Sequence, residues 1–134
     1  MISVIDYGAG NLRSVTNVLA LLKVDFQIIT DAKSVKNSTK IILPGVGHFG
    51  QLSSALDELK IRDSLYEQIN AGVPYLGICL GIQILFAESQ EAPQARGLGL
   101  LSGSVCKFES ADRSVHIIYD RYGYPNWIPN RASC

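Results

Sequence analysis

The chain has 134 residues, 47% of them hydrophobic and 18% charged, a balance that suits one folded domain with a core and excludes a fibrous or low-complexity chain. Twelve Lys and Arg offset twelve Asp and Glu, so no charge excess points to nucleic acid or an anionic membrane, and a small neutral ligand or a protein partner fits better. No apolar run reaches the roughly 18 residues that span a bilayer, and Met1 leads into "ISVIDYGAG" without a basic stretch, so a soluble cytoplasmic protein is expected.

In chain order, "ISVIDY" is a short β-branched run ending at Asp6, followed by the turn "GAGN" and by Leu12, Val15, Leu19 and Leu22 at helical spacing. "VDFQIIT" (24–30) and "KIILPGVG" (40–47) read as a second and a third strand, and the polar "DAKSVKNS" between them has room for about one helical turn. Leu52, Leu56, Leu59, Leu65 and Ile69 predict one amphipathic helix from about Gln51 to Asn70, closed by Gly72 and Pro74. "PYLGI" is a buried strand, Leu80 to Glu88 a helix, and from "GLGLLSGSVCKF" onward short β-type segments with glycine turns are expected. Strands alternating with helices over residues 1–90 predict an α/β fold with a doubly wound parallel sheet, whose ligands bind outside the carboxyl ends of the strands.

Three glycine-bearing turns follow strands, at Asp6, at Leu43 and at Tyr75–Ile78, and this architecture brings their tips to one edge of the sheet. The last carries "GICLGIQ". A sharp strand-to-helix turn needs residues without a Cβ on both sides of a nucleophile, and Gly77 and Gly81 flank Cys79 as the glycines of a GxSxG elbow flank serine. At the start of the following helix a thiol is favoured as the thiolate. Most free cysteines are small core residues. Here strand, spaced glycines and helix coincide at one position, which favours the elbow. Cys106 and Cys134 have no such setting, and three scattered cysteines make neither a disulfide framework nor a zinc site, so no metal or cofactor is expected. In "LPGVGHFG", Gly45, Gly47 and Gly50 free the backbone to turn amides outward, as an oxyanion hole requires; an ordinary βα turn has the same composition.

Taken together, "GICLGIQ", "PGVGHFG" and "DYGAGNLRSV" resemble class I glutamine amidotransferases, and within them the glutaminase subunits of imidazole glycerol phosphate synthases, over Met1 to about Phe108. The resemblance implies a flavodoxin-like doubly wound sheet. It also implies that Cys79 attacks the side-chain amide of glutamine, with the oxyanion held by backbone N–H groups of Leu80 and of Gly45, Val46 and Gly47. Gln83 and Glu91 match positions that hold the substrate glutamine, Glu91 by pairing with its ammonium group. Asn11 matches the side that docks a (β/α)8-barrel synthase subunit, to which ammonia passes for histidine biosynthesis.

The family takes its general base and that base's carboxylate from a His-x-Glu segment that these 134 residues do not contain. The two histidines are His48, inside the glycine loop and expected to be a loop side chain, and His116, with no carboxylate at a spacing that would orient it. Residues 1–108 are accordingly expected to form the N-terminal part of an amidotransferase domain, and 109–134 an atypical tail for which a shift of reading frame after about Val115 is one explanation. Three functions stay open: a glutaminase subunit, an inactive docking module, and another cysteine-elbow hydrolase.

Overall fold

The computed structural model describes residues 1–107. Strands β1 (Ile2–Ile5), β2 (Phe26–Ile29), β3 (Ile41–Gly45) and β4 (Tyr75–Cys79) form one parallel sheet in the order β2-β1-β3-β4. Helices α1 (Leu12–Leu21), α2 (Ala32–Lys36), α3 (Phe49–Glu58), α4 (Arg62–Asn70) and α5 (Leu80–Gln83) lie between and after them. Parallel neighbours cannot be joined by a tight hairpin, so each strand pair requires a crossover.

Alternation along the strands divides the core between the two faces of the sheet. Ile5, Ile41 and Leu43 belong to the larger cluster with Phe49, Leu52, Leu56, Leu65 and Ile69 of the α3–α4 crossover. Val4 and Ile42 belong to a smaller one with Leu19, flanked by Leu12 and Val15 of α1. On that same alternation β4, an edge strand among the described residues, leaves Leu76 and Ile78 exposed.

The expected single helix from Gln51 to Asn70 is two helices. The break is a left-handed residue, Lys60 at φ 56°, whose N–H bonds the Asp57 carbonyl while Ile61 N–H bonds that of Leu56. This pairing of the last carbonyls with the two residues after the helix ends it without a glycine. Lys23, at φ 53°, closes α1 in the same way.

The helix expected over Leu80–Glu88 stops at Gln83. Its continuation to Glu88 would need the Ile84 carbonyl, which accepts instead from Leu98 N–H, and the N–H groups of Leu85 and Phe86 tighten onto the carbonyls of Ile82 and Gln83 three residues back. The short strands expected from Gly97 onward are, among the described residues, only isolated bridges, Phe86 with Leu101 and Ser89 with Val105.

One buried charge ties the crossover to this segment. The Arg62 guanidinium bonds Asp57 through Nε and Nη2, the Ser53 carbonyl and hydroxyl through Nη2, and the carbonyls of Arg96 and Gly97 through Nη1. Its planar fork of donors is used in full, which is what makes burial of a charge tolerable. No helix among the described residues is long and apolar enough to cross a membrane.

Candidate active site

Cys79 is exposed and sits where β4 ends and α5 begins, at φ 55° and ψ −110°. A non-glycine residue pays about 1–3 kcal/mol for such a backbone, so it persists only where its surroundings enforce it. They do so through close approach. A Cβ on Gly77 would run into the Gly81 carbonyl, one on Gly81 into the Leu43 carbonyl oxygen, and one on Gly45 into Leu80. The turn is folded so tightly onto β3 that the flanking positions have no room for a side chain. Gly45 pairs in register with Cys79, so the glycine loop and the cysteine are neighbours, as expected.

Tyr75 is a site residue without a motif to mark it: its hydroxyl donates to the Gly81 carbonyl at 2.5 Å. Burial pushes this phenol far above its ordinary range, so it remains a donor. The available signal was a tyrosine in an apolar strand, since a buried phenol needs a polar partner.

After β3 the loop turns through Gly47 at φ 95°. Its amides are not all presented to Cys79. Val46 N–H donates to the Tyr7 hydroxyl at 3.1 Å, and that hydroxyl is 3.5 Å from the Val46 carbonyl oxygen. Tyr7 is buried beyond the end of β1. Burial is the main cause raising its phenol above the usual value; the Val46 bond opposes this and the Cys79 charge adds to it. Leu80 opens α5, and the first amides of a helix have no acceptor within it.

His48 caps α3, its Nδ1 accepting Gly50 N–H at 3.1 Å, so the only histidine among the described residues has a structural task, in keeping with the expected loop role. Glu91 Oε2 accepts Phe49 N–H at 2.8 Å at the same helix start. Gln83 and Glu91 line one cavity of about 470 Å³ with Ser89 and Gln90, and Cys79 is not in its lining. A wider groove of about 850 Å³ runs from Tyr7, Gly8 and His48 along α3 to Arg96. Asn11 is exposed at the N-terminal end of α1 and its side chain does not cap that helix. No cluster of ligating side chains that could hold a metal occurs among the described residues. His116 and the tail lie outside them.

An exposed cysteine on a forced strand-to-helix turn, beside a glycine loop of a parallel sheet, defines an α/β domain with a cysteine elbow. The family model for glutamine amidotransferase class-I matches residues 3–119, and the chain belongs to that family. The match continues past Phe108, where the recognisable motifs end. The chain is 48% identical over 131 residues to the imidazole glycerol phosphate synthase subunit HisH of Geobacillus sp. (strain WCH70), covering 98% of this chain and 60% of the relative. It is 38% identical over 132 residues to subunit HisH 1 of Methanococcus maripaludis, covering 96% of this chain and 65% of the relative. It therefore spans about three-fifths of the length of these curated relatives. A crystal structure of a glutamine amidotransferase superposes with a TM-score of 0.67 at 22% identity, over 78% of this chain and 55% of that one, a likeness of fold.

Proposed function

We propose that the chain acts as the glutaminase part of an imidazole glycerol phosphate synthase, releasing ammonia from glutamine for a (β/α)8-barrel synthase subunit docked on the Asn11 side, as a cytoplasmic heterodimer. The observation that carries the reading is the Cys79 backbone at φ 55°, held between Gly77 and Gly81 and paired in register with Gly45. The family description supplies glutamine as the substrate, and the relatives' names supply the synthase.

In this reading the Cys79 sulfur attacks the side-chain carbonyl carbon of glutamine, and the oxyanion takes hydrogen bonds from Leu80 N–H and the Gly45–Gly47 loop. The C–N bond then breaks. A proton delivered to the nitrogen lets ammonia leave, and water cleaves the glutamyl thioester to glutamate and the free thiol. Gln83 and Glu91 hold the substrate's α-carboxylate and ammonium end, in keeping with the cavity they share. Residues 1–108 carry this machinery.

Labelling by a γ-chloroketone analogue of glutamine tests the reading: stoichiometric modification at Cys79 is expected, and its loss in Cys79→Ser. Undiminished labelling of Cys79→Ser would refute it.

His48 favours a second reading, an inactive docking module, because its Nδ1 is occupied in capping α3 and cannot serve as base. General acid–base help is worth roughly 10²–10⁴-fold per step, so without it the isolated 134-residue chain should show negligible steady-state ammonia release. Joining a segment that carries His-x-Glu should restore release if the first reading holds, and should not if the second does.

A further inference from the structure

Tyr7 stands between the two turns that flank the sheet's switch point, the end of β1 and the end of β3. Its ring packs beside the first: a Cβ on Gly10 would lie 3.3 Å from Tyr7 Cε1 and 3.2 Å from the Pro44 carbonyl oxygen, so the "GAGN" turn, Tyr7 and the start of the glycine loop form one tight stack. Its hydroxyl reaches the second, holding Val46 N–H at 3.1 Å. Asp6 fixes the near end, its Oδ1 accepting Gly8 N–H at 2.9 Å. A backbone amide has one hydrogen to give. While Val46 N–H is bonded to the phenol, it is not available to an oxyanion above Cys79.

We propose that Tyr7 is a positioning residue of the site: its hydroxyl sequesters the Val46 N–H, so that Tyr7 sets how much oxyanion stabilisation the Gly45–Gly47 loop supplies to chemistry at Cys79. This rests on the glutaminase reading above. The phenol is suited to the task because it stays protonated in its buried setting, with lone pairs to accept the amide and a proton directed to the Val46 carbonyl. Nothing else in the described structure holds the Val46 amide.

The test compares the 134-residue chain with Tyr7→Phe, which keeps the buried ring and removes only the hydroxyl. Two reagents report on Cys79. Alkylation by iodoacetamide needs only the thiolate. The glutamine chloroketone passes through attack of sulfur on a ketone, which puts a negative charge on oxygen before chloride is displaced, and so also senses the loop amides. The ratio of chloroketone to iodoacetamide rates is expected to rise about threefold to tenfold in Tyr7→Phe, the size of one ordinary hydrogen bond, and hydrogen exchange at the Val46 amide is expected to quicken. A ratio that is unchanged or falls overturns the proposal, as does Val46 exchange that is indifferent to the hydroxyl. Iodoacetamide labelling of Cys79 with no chloroketone labelling in either chain overturns the glutaminase reading instead, and Val46 exchange then decides alone whether Tyr7 holds the amide.

Discussion

The Glu91 carboxylate accepts the Phe49 N–H at 2.8 Å, so a residue expected to face a substrate ammonium group also caps helix α3. The two tasks need different properties of the side chain. Capping needs an acceptor oxygen, which Gln retains; pairing with a cation needs the charge, which Gln lacks. Glu91→Gln should therefore leave the urea midpoint nearly unchanged while slowing chloroketone labelling at limiting reagent. Glu91→Ala should lower stability by about 1 kcal/mol as well. Equal labelling in wild type and Glu91→Gln would assign the residue to the helix alone.

The elbow makes an inverted stability order at position 79. At most sites alanine is the more stable replacement, because glycine loses more backbone entropy on folding. With φ at 55°, the balance reverses, and Cys79→Gly should exceed Cys79→Ala by about 1 kcal/mol in denaturant titrations. Alanine proving the more stable would mean that the turn relaxes when the thiol is removed.

Arg62 should be the most sensitive charged position in the described structure. Arg62→Met keeps the volume but strips hydrogen bonds from the carbonyls of Ser53, Arg96 and Gly97, at a cost of about 3 kcal/mol. It should also flatten the acid limb of stability. The Arg62 hydrogen bond, opposed by burial and aided by the Arg62 and Arg96 charges, holds the Asp57 carboxyl below its ordinary value. A folded-state value below the unfolded one means that this stabilisation is complete above about pH 4 and is lost as the pH falls through the folded value. Urea midpoints measured from neutral pH down to about pH 2 should show that loss in wild type and a shallower one in Arg62→Met.

Much of this was legible in the residues, and what was not has physical causes. The strands, their parallel arrangement and the Cys79 turn follow from β-branched runs and from glycines whose spacing has one steric reason. The break between α3 and α4 was invisible because the left-handed position is Lys60, and a residue that adopts positive φ against its preference leaves no mark in composition. The early end of α5 depends on Leu98, well along the chain, taking the Ile84 carbonyl, a competition no local pattern encodes. The glycine loop was recognised but the state of its amide was not, because that depends on the reach of Tyr7 from beyond the end of β1. Periodicity reports which face a residue occupies; it does not report which distant hydroxyl meets a given backbone group.

The pairing of Gly45 with Cys79 has a consequence for how the molecule acquires its site. Both partners lie at the tips of parallel neighbours, and between them run α3 and α4. A parallel pair cannot zip up from a local turn, and the chain entropy of closing the intervening loop is lost before any contact across it is gained. The loop and the cysteine therefore meet only when the whole crossover has docked on the sheet. During refolding, the forced backbone at Cys79 should mature with the slowest long-range contacts, and a pulse of thiol reagent would read the arrival of β4.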